Sequence, residues 1–156
     1  MGKITRLDNA AIVITATPVL TTAAYTAADA VGGVLTFADA ARVAGGGGYI
    51  KDVVIIDDAG QDDDLELWLY NDSITEIGDA TTYAQTEAEL HTLVAVVLTS
   101  TGSGWLPTGT PSASITEVNQ RYVCTDTSLY GQLVCRGTPT FAAVDDVTIR
   151  VSLLQD

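Results

Sequence analysis

Basic residues are scarce in this chain of 156: seven Lys and Arg stand against 20 Asp and Glu, leaving a net charge of −13. The shortage is local as well as global. No Lys or Arg occurs between Lys51 and Arg121, while thirteen acids fall in that interval. Nucleic acid is bound through a basic footprint, so it is excluded as an expected partner. An anionic membrane surface is disfavoured for the same reason.

Histidine and cysteine are nearly missing. His91 is alone, and Cys124 and Cys135 are the only thiols. A zinc site needs several such ligands, and two cysteines are too few for a disulfide framework. The runs "RYVCTD" and "GQLVCRG" flank a turn near Asp126 and Thr127. That spacing puts the thiols out of register for a disulfide, so buried free cysteines are expected.

Long apolar runs are absent too. No stretch is long enough to span a bilayer. The opening "MGKITRLDNAAIVITATPVL" is interrupted by Asp8, Asn9 and Pro18 before it resembles a signal peptide. Gly2 lacks the hydroxyl that a myristoylation motif wants four places on, since Arg6 occupies that slot. The "NDS" at Asn71 is a glycosylation sequon that matters only on secretion.

What the chain does hold is β pattern. Apolar residues make up 47% and charged residues only 17%. Strands are expected at Ala11–Thr17, Val34–Phe37, Tyr49–Asp57, Leu65–Tyr70, Leu93–Thr99, Gln120–Cys124, Leu129–Arg136 and Val147–Leu154. The last alternates most clearly, with Val147, Ile149, Val151 and Leu153 on one face. In Leu65–Tyr70 the face of Glu66, Trp68 and Tyr70 is aromatic as well as charged, and is expected to meet a partner. Thr86 and Glu89 stand at capping-box spacing, which predicts a short helical turn over Glu87–His91. Many short strands and little helix predict a single all-β domain over residues 1–156: an antiparallel, jelly-roll-like β-sandwich, with a β-barrel as the alternative and residues 1–10 as an extended arm.

The most conspicuous local feature is "IIDDAGQDDDLELWLY", Ile55 to Tyr70. Asp57, Asp58, Asp62, Asp63 and Asp64 lack the alternating order of an EF-hand loop. Their reading is a solvated turn of a β-hairpin, "VVIID" running up and "DLELWLY" running down, with a structural Ca²⁺ as the alternative. The "GGGG" of Gly45–Gly48 precedes a strand rather than a helix, so it is a tight or flexible connection and not a phosphate loop. Ser103 lacks the setting of a nucleophile elbow, and His91 has no carboxylate–nucleophile motif around it. Glu66 with another acid mimics a glycosidase pair, but 20 acids always offer such pairs. Trp68, Trp105, Tyr122 and Tyr130 form a sugar-stacking platform only if they share a face; core or interface roles are commoner for such residues. No catalytic, metal or cofactor-binding residue is assigned, no cofactor is expected, and the chain is read as a non-enzyme.

The order of phrases carries more. "YTAADAVGGVLTFADAARVAGGGGYIKDVVIIDDAGQDDDLELWLYND", followed by "LYGQLVCRGTPTF" and "DDVTIRVSLLQD", resembles small virion structural proteins of tailed bacteriophages. The likeness runs over about residues 20–156 and is carried by Asp29–Gly33, Leu129–Thr140 and Val147–Asp156; the acidic turn Asp57–Asp64 departs from it. The resemblance implies a capsid decoration (cement) protein on the virion exterior, made in the bacterial cytoplasm. Its implied partners are the major capsid protein and itself, as a homotrimer or other homo-oligomer. The loops Ala44–Tyr49 and Thr99–Ser114 and the terminus Met1–Asn9 are the expected contacts. A head-fibre, neck or tail protein is the alternative within virions, and a carbohydrate-binding β-sandwich the alternative outside them.

Overall fold

The computed structural model describes residues 10–107 and 110–156. Of the expected arm over residues 1–10, Met1–Asn9 lie outside the described residues, as do the loop positions Thr108 and Gly109, while Ala10 already belongs to the first strand. All eight expected strands form: β1 Ala10–Ala16, β2 Ala30–Phe37, β3 Gly47–Asp57, β4 Leu65–Tyr70, β5 Leu93–Leu98, β6 Ser112–Val123, β7 Leu129–Cys135 and β8 Val147–Gln155. One short helix, α1 at Glu87–Leu90, and one 3-10 turn at Thr99–Thr101 complete the described regular structure.

The strands make two four-stranded antiparallel sheets, ordered β1-β8-β3-β6 and β2-β7-β4-β5. The pairs β1·β8, β2·β7, β3·β6 and β4·β5 each join an early strand to a late one. The chain is thus a ribbon folded back at the β4–β5 turn and rolled across two layers. That is the jelly-roll arrangement of two Greek keys. The sheets do not close into a barrel.

This topology corrects the hairpin reading of the acidic stretch. β3 pairs with β6 and β8, whereas β4 pairs with β5 and β7, so Asp57–Asp64 crosses from one sheet to the other. Two neighbouring β-runs joined by turn residues look alike whether they pair or part, because the pattern encodes faces and not partners. The segment between β6 and β7 is likewise a crossover.

The core lies between the layers. Alternation on β8 buries Val147, Ile149, Val151 and Leu153 as expected, against Val53 and Ile55 of β3 and Leu67, Leu69, Leu133 and Phe37 of the opposite sheet. The capping box on α1 is complete: the Glu89 N–H donates to Thr86 Oγ1, and the Thr86 N–H donates back to the Glu89 carboxylate. β6 is much longer than Gln120–Cys124. Its first half, "SASITEVN", carries small polar residues that read as loop. It is held in the sheet by pairing along β3, with the Ser114 hydroxyl donating to Thr99 O at 3.3 Å.

The glycine run is half strand. Gly45 sits at φ +76°, a turn conformation, but Gly47 and Gly48 already belong to β3. A Cβ on Gly47 would lie 2.1 Å from Tyr122 O, and one on Gly48 2.1 Å from Leu154 O. Close backbone approach, rather than flexibility, requires glycine there.

Candidate interaction surface

The structure disperses most of the residues that the sequence offered as chemistry. In the acidic crossover Asp57 is buried, not solvated. Its carboxylate accepts the backbone N–H groups of Ala59 and Gly60, both at 3.0 Å, and of Gln61 and Asp62 at 2.7 and 3.3 Å. Burial pushes this carboxyl above its ordinary value, against the pull of those four donors. Asp58 and Asp64 are exposed, and Asp63 is raised by burial and by neighbouring Asp64. Asp57 organises the turn. Among the described residues no group of three or more acids, histidines or cysteines is placed to hold a metal.

His91 caps the C-terminal end of α1, with its ring exposed near Glu87 at 3.9 Å. Ser103 accepts the N–H of Ile115 at 2.9 Å and donates to Gly104 O, which makes it a loop anchor. Glu66 is half of an ion pair: Arg136 donates to both its carboxylate oxygens, and Trp68 Nε1 donates at 3.0 Å. Arg136 holds the Glu66 carboxyl below its usual range. A carboxylate so neutralised suits structure rather than acid catalysis.

The four aromatics do not share a face. Tyr122 is buried with its hydroxyl donating to Ala40 O at 2.6 Å. Trp105 donates to Asp63 O at 3.1 Å, and Tyr130 to the Asp126 carboxylate at 2.6 Å. Trp68 lies against Tyr83, ring centroids 5.3 Å apart. The cysteines are free and buried, with the Cys124 thiol pushed up to about 11 by burial.

The two outer sheet faces are treated oppositely. The outer face of β2-β7-β4-β5 is covered by the chain itself. The loop between β4 and α1 lays Tyr83 against Trp68 and bonds its hydroxyl to Tyr70, while the Gln132 side chain bonds the backbone of Ile77. Tyr70, Gln132 and Val134 are buried as a result. The partner expected for the Glu66–Trp68–Tyr70 face is therefore internal. The alternating pattern showed an aromatic outer face but could not show that a loop of the same chain folds over it.

The outer face of β1-β8-β3-β6 has no such cover among the described residues. Register sets its rows: Ala11, Leu154, Tyr49 and Arg121; Val13, Ser152, Asp52 and Glu117; Thr15, Arg150, Val54 and Ile115. Val13 and Ile115 are each 52% exposed and Tyr49 is 40% exposed. The Arg121 guanidinium sits 5.7 Å from the Tyr49 ring centre and bridges to Asp156 at 3.1 Å. Lys51, Arg121 and Arg150 on or beside this face balance Asp52, Glu117 and Asp156. In a chain of net charge −13, this is a charge-balanced, partly apolar plane. Sequence analysis missed it because its exposed apolar residues are scattered, Val13 on β1, Tyr49 on β3 and Ile115 on β6, and only the sheet order brings them together.

Comparison with protein-family models, with curated proteins and with solved structures finds no match to this chain.

Proposed function

We propose that this chain decorates and stabilises a bacteriophage capsid, binding the major capsid shell as a homo-oligomer, with a trimer the expected form. The observation that carries the reading is the contrast between the two sheet faces. One is sealed by the chain's own loop; the other, among the described residues, presents an uncovered, charge-balanced plane of Val13, Tyr49, Val54 and Ile115. Exposed apolar surface rimmed by polar groups marks a protein contact, and a flat sheet suits a broad shell better than a cleft suits a small ligand. The fold alone does not fix the role, since jelly rolls serve capsids, lectins and enzymes. The resemblance of residues 20–156 to virion proteins supplies the direction.

The role is mechanical: surface buried across neighbouring subunits, on the order of 800 Å² a side for a stable contact. The acidic remainder of the chain would face solvent and keep a densely repeated protein dispersed. The test compares particles with and without the chain under heat and osmotic shock, and counts its copies per particle. Better survival with hundreds of copies supports the reading. Equal survival overturns the cement role, and a few copies at one vertex would reassign the chain to the neck or tail.

A further inference from the structure

Of the four edge strands, two are protected by the chain itself. Along β2, Asp29 bridges Thr82, and Ala30 exchanges backbone bonds with Thr81 O and the Ala80 N–H at 2.8 and 2.9 Å. Along β6, the Ser103 N–H meets Ile115 O at 2.8 Å, and Leu106 exchanges both bonds with Ala113 at 2.9 and 3.0 Å. The expected contact loop Thr99–Ser114 thus serves in part to cap an edge. β1 has no such cover among the described residues, and β5 is met at its Leu98 end, where the Thr116 hydroxyl donates to Leu98 O at 3.2 Å, while its middle, at Val96, is not bridged by any described backbone.

The ladders determine which groups these edges present. The Asp156 N–H donates to Gly47 O at 3.0 Å. Even-numbered residues at that end of β8 therefore bond β3, and odd-numbered ones bond β1. Ala10, Ile12, Ile14 and Ala16 then face β8, and Ala11, Val13 and Thr15 turn their N–H and C=O outward. On β4, both the N–H and the C=O of Leu65 meet Thr99 Oγ1, on the β5 side. Leu67 and Leu69 then bond Val97 and Ala95, which leaves Val96 turned outward.

Neither edge carries an ionisable side chain: β1 is AAIVITA and β5 is LVAVVL. Exposed edges are normally blunted by charge, proline, a bulge or a cover. Among the described residues β1 has none of these, and β5 departs from regular pairing at its Leu93 end and is met by Thr116 at Leu98. In a chain of −13, a second copy can approach these two backbones without setting carboxylate against carboxylate. The edges also differ in shape. β1 projects Val13, whereas β5 flanks an opening of about 340 Å³ lined by Val94, Val96, Leu98, Thr116, Val118 and the acidic Glu117, which two like edges would set against each other. Like-with-like pairing would leave that opening unfilled.

We infer that the β5 edge of one copy pairs with the β1 edge of the next, joining sheets of neighbouring copies by strand addition. β1 stacks over β2 and β6 over β5, so the two edges lie on opposite sides of the sandwich. The contact is therefore head-to-tail, the type that closes into a ring or runs on as a filament according to the rotation between copies. It rests on the edges alone and does not need the capsid reading.

The test measures mass in solution by light scattering. The wild-type chain is expected at a multiple of its 16.3 kDa. Val13→Pro and Val96→Pro each remove one outward N–H and no bond within the sheet, and proline is tolerated at such edge positions. Each variant should be monomeric, yet each keeps one intact edge, so an equimolar mixture should form a dimer of one of each. Val13→Lys and Val96→Lys replace the proline variants if circular dichroism shows either proline variant unfolded. A single variant that keeps the wild-type mass, or a mixture that stays monomeric, overturns the inference. So does a wild-type chain that is monomeric at every concentration, which would leave the edges to a different protein.

Discussion

Arg136 clasps Glu66 through two parallel hydrogen bonds, its Nε and Nη2 each 2.7 Å from a carboxylate oxygen. The pair joins β4 to the segment just after β7 on the face that the chain's own loop covers. Glu66 is 8% exposed as a residue, while the Arg136 side chain is 43% exposed. Its worth therefore falls between that of a buried and that of a surface pair.

Glu66→Gln removes the charge and should cost about 1–2 kcal/mol. The pH dependence has a definite sign. Because Arg136 lowers the Glu66 carboxyl in the fold, its stabilisation is complete above the ordinary carboxylate range and is lost as pH falls through the lowered value. Asp57, raised by burial, acts oppositely and takes up its proton earlier in the fold than in the unfolded chain. Melting wild type and Glu66→Gln between neutral pH and pH 3 should show their difference narrowing as acid is added. A constant difference would mean that the ion pair contributes nothing.

Asp57→Ala should leave up to four partly buried backbone donors without their acceptor. At about 1–3 kcal/mol for a buried group left unpaired, a loss of about 2–4 kcal/mol is expected, with Asp57→Asn recovering part of it. EDTA should leave the melting temperature unchanged, because the one buried carboxylate of the cluster is already engaged by N–H groups. A large fall on chelation, restored by Ca²⁺, would show a cation among the acids.

What the sequence revealed follows from what periodicity can encode. The alternation of β8 and the Thr86–Glu89 spacing are local signals, and both appear in the fold unchanged. Pairing is not local: "VVIID" and "DLELWLY" are separated by a turn sequence that serves a crossover as well as a hairpin. Asp57 shows the same limit, since five aspartates read alike until one is carried inside. The outer sheet face and the two edges at β1 and β5 depend on strand order, which no single run of residues specifies.

Gly48→Ala tests the close approach of β3 to β8. The added Cβ would meet Leu154 O at 2.1 Å, backbone that cannot turn aside as a side chain would. A cost of about 1–3 kcal/mol is expected for overpacking, or a fall of roughly 2–10 °C in Tm for a chain of this length. Gly45→Ala provides the contrast. It meets nothing within 4 Å, and its penalty comes from a φ of +76° alone. Gly48 has no positive φ, so an unchanged melting temperature in Gly48→Ala would show that β3 and β8 part to make room for the Cβ.

Ile115→Glu tests the uncovered face as a docking surface. Ile115 is 52% exposed and lies in a row with Val54 and Arg150, and its backbone is engaged by Ser103, so the substitution alters the plane without opening an edge. Exposed substitutions usually change stability by about 0.5 kcal/mol or less, so the melting temperature should move by only a few degrees. Burying the isoleucine against a shell would be worth about 1.5–3 kcal/mol, and 1.4 kcal/mol is a tenfold change in affinity. Binding to particles stripped of the protein should therefore fall at least tenfold. Val144→Glu, an equally exposed position in the β7–β8 loop away from this face, is the control and should bind as wild type does. Undiminished binding by Ile115→Glu, or equal loss in both variants, would move the contact off this sheet.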